Sequence, residues 1–375
     1  MLQFHFRVIR YNRKIEKDTQ NSLTKTITDT KAIKYEIDML SVGAADAFLI
    51  RFYDEDDKEH VILVDAGTYD DGEKVRDFVR DRYETYTIDL AICTHCDDDH
   101  FGGFVYMIND MLEHPNTSVD IQQIVINDPG LHQNEKDEKG NRSRESVKKE
   151  ARSVYDCGGK NLLSLIWEAS DKLGLEYNEG FSDHNYSYFD DIIKIIAPST
   201  DYYREQALQF RNKLNPKDYL LKDDEDDAEM IPDTKNVYSK ALDEAGKDGS
   251  SHNKSSIMFV FKPDDGKRFL FTGDADEDSF DHIKFENDNN EINDIYWLKV
   301  PHHGSAHNLS NKVLNWLRPK VAYISTEKYG HYLDRCVMGA LRKLGTKVYT
   351  TRDGSNYWHH KGTKDRDGYS TAKPE

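Results

Sequence analysis

The stretch ICTHCDDDHFGGF, residues 92–104, sets two histidines and three consecutive aspartates directly after an apolar run. Three adjacent carboxylates repel one another unless a positive charge sits among them, and a bound metal ion is the usual remedy. The plainer alternative is a solvated acidic turn. Read as the end of the strand IDLAICTH and the start of the helix FGGFVYMINDMLE, the segment has the form His95-x-Asp97-x-Asp99-His100. Alternate residues of an extended chain point the same way, so His95, Asp97 and Asp99 converge, and His100 swings in where the helix begins. Mixed imidazole and carboxylate sets bind divalent ions, and a high oxygen share tilts the preference from Zn²⁺ toward Mn²⁺ or Mg²⁺. Gly102 and Gly103 let the helix approach the sheet closely.

Two later strands end in the same kind of residue. FLFTGDAD places Asp274 after a glycine, where its carboxylate can bridge two ions, and WLKVPHHGS ends in His302 and His303 before a Gly-Ser turn. Three strands that each finish in ligand-type residues bring them to one rim, which is more specific than any one motif. Asp46 in AADA and Asp65 in LVDAG are candidates to hydrogen-bond metal-bound imidazoles, since carboxylates behind a ligand fix its orientation; each is otherwise a turn-forming residue. His331 in KYGHY is a candidate to face substrate, or an ordinary loop histidine.

Around these segments the chain alternates strands and helices. KYEIDM, AFLIRF and HVILVDAG read as a meander; GEKVRDFVRDRY has helical spacing, with Val75, Phe78, Val79 and Tyr83 on one face; IQQIVIND is another strand. After a helix NLLSLIWEASDKLG and a strand DIIKIIAPS, strands return at SSIMFVFK, RFLFTGDAD, IYWLKVPHHGS, VAYIST and KVYTT. Two β-rich halves separated by helices predict an α/β (α+β) fold, an αββα sandwich. Two charged insertions, about 129–160 and 200–251, are too polar for a core of their own, so lids, partner sites or disordered tethers are expected there.

The net charge is −18, which repels polyanions at long range and lowers the odds of a general nucleic-acid binder without excluding a nucleic-acid or nucleotide substrate. Four cysteines in a chain of 375 residues are no disulfide framework. Cys93-x-x-Cys96 has no second cysteine pair, so a zinc ribbon is rejected, and Cys96 reads as filling a variable slot of the metal motif. No run reaches the roughly 18 apolar residues of a membrane span, and the N-terminus lacks a signal peptide's apolar centre. A soluble cytoplasmic protein with no membrane attachment is the expectation.

His95-x-Asp97-x-Asp99-His100, Thr272-Gly273-Asp274 and VPHHGS together resemble the metallo-β-lactamase superfamily, and most closely the soluble hydrolase domain of ComEC-type DNA-uptake proteins. The resemblance covers roughly 34–351, with gaps at both insertions. It implies a hydrolase domain over 34–352, an N-terminal extension over 1–33 and a tail over 353–375. It also implies two divalent ions, Zn²⁺ or Mn²⁺ with Mg²⁺ as a further candidate. His95, Asp97 and Asp274 would surround one ion, and Asp99, His100, Asp274 and His302 the other. Position 97 is Asp where most superfamily members have His, and the separate histidine that precedes the bridging aspartate falls near His252 and Asn253. Asp99, His302 and His303 are the expected catalytic residues, with Asp99 orienting the water.

The function implied is metal-dependent phosphodiester hydrolysis of DNA, RNA or a nucleotide by an activated water. Two alternatives stand beside it, because fold does not fix substrate. One is hydrolysis of a small ester, lactone or amide. The other is a non-catalytic metal-binding subunit whose acidic insertions engage a protein partner, as would suit a bacterial complex such as a phage-defence system.

Overall fold

The computed structural model describes residues 33–133, 144–184, 186–210, 242–263, 266–286, 292–327, 333–364, 366 and 374. Its first sheet begins with the expected meander, β1 (Lys34–Met39), β2 (Phe48–Tyr53) and β3 (Glu59–Val64), paired antiparallel with Ile37 opposite Ile50 and Ile50 opposite Ile62. β4 (Leu90–Ile92), β5 (Gln123–Val125) and β6 (Glu176–Asn178) then add in parallel. The second sheet runs β7 (Ser187–Tyr188), β8 (Ile193–Ala197), β9 (Met258–Phe261), β10 (Phe269–Phe271), β11 (Trp297–Lys299), β12 (Val321–Ile324) and β13 (Lys347–Thr350), in that spatial order. Its last four strands are parallel.

Side-chain alternation assigns the layers. Phe48, Ile50, Phe52, Ile62 and Val64 join Phe259, Phe269, Phe271 and Trp297 in a core between the two sheets. Leu49, Val61 and Leu63, pointing the other way, pack under α1 (Gly72–Arg82), α2 (Asp98–Glu113) and, across the insertion, α4 (Leu162–Lys172). Strands buried on both faces need near-continuous apolar runs, as these have. A third cluster lies between the second sheet and α7 (Glu277–Glu286), α8 (Asn311–Leu317) and α9 (Arg335–Lys343). The architecture is therefore mixed α/β in four layers, αββα.

One boundary is corrected. Within the expected tail over 353–375, Tyr357–Lys361 forms a strand, β14, that pairs antiparallel with β1 and closes the edge of the first sheet. Two aromatics followed by three polar residues in YWHHK give no apolar alternation, which hid it. Arg366 beyond it donates to both Asp38 oxygens, at 2.8 and 3.0 Å, and stacks on Trp358, so the domain reaches at least that far. The insertions carry structure at their ends: α3 (Arg144–Arg152) in the first, α5 (Thr200–Ala207) and α6 (Ser251–Lys254) in the second.

Gly103 shows how closely α2 is drawn in. A Cβ there would lie 2.0 Å from the backbone oxygen of Ala66, while the Ala66 N–H is held at 2.9 Å by the carbonyl of His100. Alanine gains about 1 kcal/mol of helix propensity over glycine, whereas forcing atoms into a packed contact costs roughly 1–3 kcal/mol. Gly103→Ala is therefore expected to lower the urea unfolding midpoint. An equal or higher midpoint would show that the helix can ride outward without loss.

Candidate metal centre

The parallel strands place their carboxyl ends together, where loops of open α/β sheets hold ligands. After β4 the chain passes through Cys93 and Thr94 to His95, and Asp97 in extended conformation (φ −91°, ψ 140°) precedes the first turn of α2. That turn carries Asp99 and His100. Asp274 follows β10 through Gly273 at φ 52°, where a Cβ would collide with Ser256 and Thr94. After β11, His302, His303 and Gly304 all take left-handed backbone (φ 47°, 53° and 88°), an arrangement that costs non-glycine residues about 1–3 kcal/mol each and clusters at functional sites.

Three imidazoles present Nε2 to a common space because Nδ1 is already engaged. His100 Nδ1 donates to Asp65 at 2.8 Å, His303 Nδ1 to the Ser325 carbonyl at 3.2 Å, and His95 Nδ1 meets the Thr94 hydroxyl at 3.1 Å. Thr94 in turn donates its hydroxyl and backbone N–H to Asp65 at 2.7 and 2.8 Å. Asp46, fully buried, lies 3.8 Å from both His100 Nδ1 and His303 Nδ1 and contacts the Lys299 ammonium. Carboxylates behind imidazoles fix tautomer and direction in this way.

On the open side, His100 Nε2 is 3.3 Å from Asp274 Oδ2 and 3.7 Å from Asp99 Oδ2; His303 Nε2 is 3.1 Å from Asp99 and 4.0 Å from Asp274. His95 Nε2 is 3.6 Å from Asp97 Oδ2. Two groups of donor atoms thus form, His95 with His100 and Asp274, and Asp99 with His100 and His303, each within 4.8 Å. The Nε2 atoms of His95 and His100 are buried and make no hydrogen bond. Buried polar atoms aimed at one another without bonds are costly in a bare protein, and a divalent cation satisfies them. The donor set therefore fits a metal centre.

Charges are balanced by proximity. Burial opposes the proton on His100, but Asp274, Asp65 and Asp99 outweigh it and hold the imidazole well above its ordinary range. Asp274 is correspondingly held well below the usual carboxylate range against its burial, by His100 and Lys299. Asp97 is held well below it by His252 and His95, again against burial. Ion binding displaces such protons, so metal uptake here releases acid.

His302 lies beside these groups. Its ring meets Asn308 (Nδ1 to Oδ1, 2.8 Å) and Asp248 (3.5 Å), and its backbone N–H donates to Asp274 at 3.1 Å. Against burial, Asp248 and Asp274 raise its pKa to about 9. His303, 1% exposed, presents Nε2 to Asp99 at 3.1 Å. His252 bonds Asp97 Oδ1 at 2.7 Å, and Asn253 donates to Asp248 at 2.6 Å. His331 lies outside the described residues. Lys299, Asp248, Asn308 and Cys96 were missed by sequence reasoning; only the lysine inside an apolar strand gave a signal.

The described ends of the insertions meet beside this centre. Gln133 bonds the carbonyls of Pro129 and Ala207 at 3.0 and 2.9 Å, the His132 ring packs edge-on to Tyr203, and Phe210 packs edge-on to His252 with centroids 4.7 Å apart. Residues 134–143 and 211–241 lie outside the described residues.

The sheet order and the histidine-aspartate cluster define a mixed α/β architecture consistent with a metallo-β-lactamase fold, and residues 40–109 match the model of the Metallo-beta-lactamase superfamily. Among solved structures, the chain is similar to a long form RNase Z from yeast, at 11% identity and a TM-score of 0.34. That alignment covers 88% of this chain and 38% of the yeast one, so the chain spans well under half of that protein. A search of curated proteins finds no match. Among the described residues, no helix is long and apolar enough to cross a membrane.

Proposed function

We propose that the chain is a metal-dependent hydrolase acting on phosphodiesters of nucleic acid or nucleotides in the cytoplasm, in the manner of ComEC-type hydrolase domains. The observation that carries the reading is the convergence of His95, His100, His303, Asp99 and Asp274, with two buried imidazole nitrogens left without hydrogen bonds. Divalent ions held there, Zn²⁺ or Mn²⁺ with Mg²⁺ as a further candidate, supply Lewis-acid polarisation of a phosphoryl oxygen and a water acidified toward neutrality.

The chain's own residues do the rest. His95, His100, His303 and Asp274 form the buried floor, oriented from behind by Asp46 and Asp65. Asp99, with a third of its side chain exposed, stands at the mouth and is placed to accept a hydrogen bond from the attacking water. His302, 23% exposed and braced by Asp248 and Asn308, is placed to donate to a substrate oxygen beside it. No serine or cysteine nucleophile is required.

The test is turnover of single- and double-stranded DNA, RNA, cyclic dinucleotides and a panel of esters and lactones, with Mn²⁺, Mg²⁺ or Zn²⁺. Asp99→Ala is expected to lose phosphodiester cleavage by at least about 100-fold, since removing even a group that orients a metal ligand costs about 10–100-fold. Its circular dichroism should match the parent. Cleavage of esters alone would move the assignment to the small-molecule hydrolases. Unchanged Asp99→Ala turnover would favour a structural metal and a binding subunit.

A further inference from the structure

Cys96 and Cys93 are three residues apart, both buried, and both border the core between the first sheet and its helices. The Cys93 thiol lies against the His95 carbonyl at 3.5 Å, inside the core of the first sheet. The Cys96 sulfur belongs to a group with Asp97 and His252 in which one donor atom from each lies within 4.8 Å of the others. His252 comes from α6, 155 residues further along the chain, so tertiary structure and not local sequence makes the group. Cys96 is 1% exposed and His252 5%, and Phe210 covers the imidazole.

We propose that Cys96 is a metal ligand, forming with Asp97 and His252 a thiolate-containing position for a zinc-class ion beside the sulfur-free position at Asp99, His100 and His303. The inference rests on the hydrolase reading and adds a thiolate to one end of that site. Ligand atoms around a tetrahedral zinc, with Zn–S near 2.3 Å and Zn–N near 2.0 Å, lie roughly 3.3–3.8 Å apart, so the His252–Asp97 pair, hydrogen-bonded at 2.7 Å, opens slightly and the remaining distances, all under 4.8 Å, adjust toward that range. On binding, the thiol proton leaves to solvent and the sulfur takes the ion in its place, with no change of oxidation state. Soft thiolate favours Zn²⁺ over Mn²⁺ and Mg²⁺, whereas the other position, one carboxylate with two imidazoles, has no sulfur. The second oxygen of Asp97, 3.6 Å from His95 Nε2, links the two ends.

The experiment titrates the metal-free full-length protein with Co²⁺. A sulfur-to-cobalt charge-transfer band in the near ultraviolet is expected, saturating at one thiolate bond per chain. Cys96→Ser should abolish the band and weaken Zn²⁺ binding by at least about 10-fold, while Cys336→Ser keeps both. X-ray absorption of the zinc-loaded parent protein gives a readout that needs no variant: one sulfur neighbour is expected among nitrogen and oxygen. Only nitrogen and oxygen neighbours, or a band that survives in Cys96→Ser, would overturn the proposal. If the cobalt protein cleaves phosphodiesters without a thiolate band, Cys96 is no ligand and the hydrolase reading stands. If no cobalt binds at all, both fall.

Discussion

Replacing His303 with alanine is expected to lower metal retention and turnover by at least about 100-fold, above the roughly 10–100-fold that follows loss of a group behind a ligand. His302→Ala should retain its metal and lose turnover alone. The two residues are adjacent, so the contrast isolates direction from position. Both lie in left-handed backbone, and the turn sends the His303 ring inward to Asp99 at 3.1 Å while the His302 ring faces Asn308 and Asp248. Metal content measured after dialysis, beside turnover, decides the matter. A His302→Ala protein that loses metal while His303→Ala keeps it would reverse the assignment.

Lys299→Met is expected to destabilise the metal-free protein by about 3–5 kcal/mol, the usual cost of removing one partner from a buried ion pair. Lys299 is 2% exposed, contacts Asp46 and donates to Asp274 Oδ1 at 3.1 Å and to the Gly273 carbonyl at 2.7 Å. Without it, two buried carboxylates lose the lysine they share. An ion binding only the folded chain at 100 times its Kd stabilises it by about 2.7 kcal/mol, and because the uncompensated Asp46 and Asp274 charges should bind a cation more tightly in the variant, the deficit should shrink when metal is present. Urea unfolding with and without Zn²⁺ measures both numbers. An equal deficit in the two conditions would mean that Lys299 and the ion act on separate charges.

Much of the layering was legible in the sequence because the strands are buried on both faces and read as unbroken apolar runs. The three ligand-bearing strand ends were legible for a related reason: ligand-type residues stand out against such runs. The ring directions of His302 and His303 were not, since they depend on backbone angles that neither side chain announces. Cys96 was read as filler because its partner, His252, lies beyond a long charged insertion. Asp248 and Asn308 sit in polar segments of ordinary composition, and only the fold brings them to His302. β14 escaped because an edge strand with one wet face carries no continuous apolar run.

That last strand has a consequence for how the protein is made. Tyr35 pairs with Lys361, so one side of β1 has no neighbour until almost the entire domain has been synthesised. At about 5–20 residues per second, the interval is roughly 15–60 s. All the residues gathered at the candidate metal centre, from Asp46 to Ser325, have left the ribosome before the strand that covers β1. An unpaired strand edge is a template for pairing with other chains, and here it is an apolar one, in KYEIDM, whose inward residues Tyr35, Ile37 and Met39 belong to the central core. The nascent chain is therefore most open to mispairing at its beginning, and metal captured during synthesis would hold the two sheets together while that edge waits for its partner.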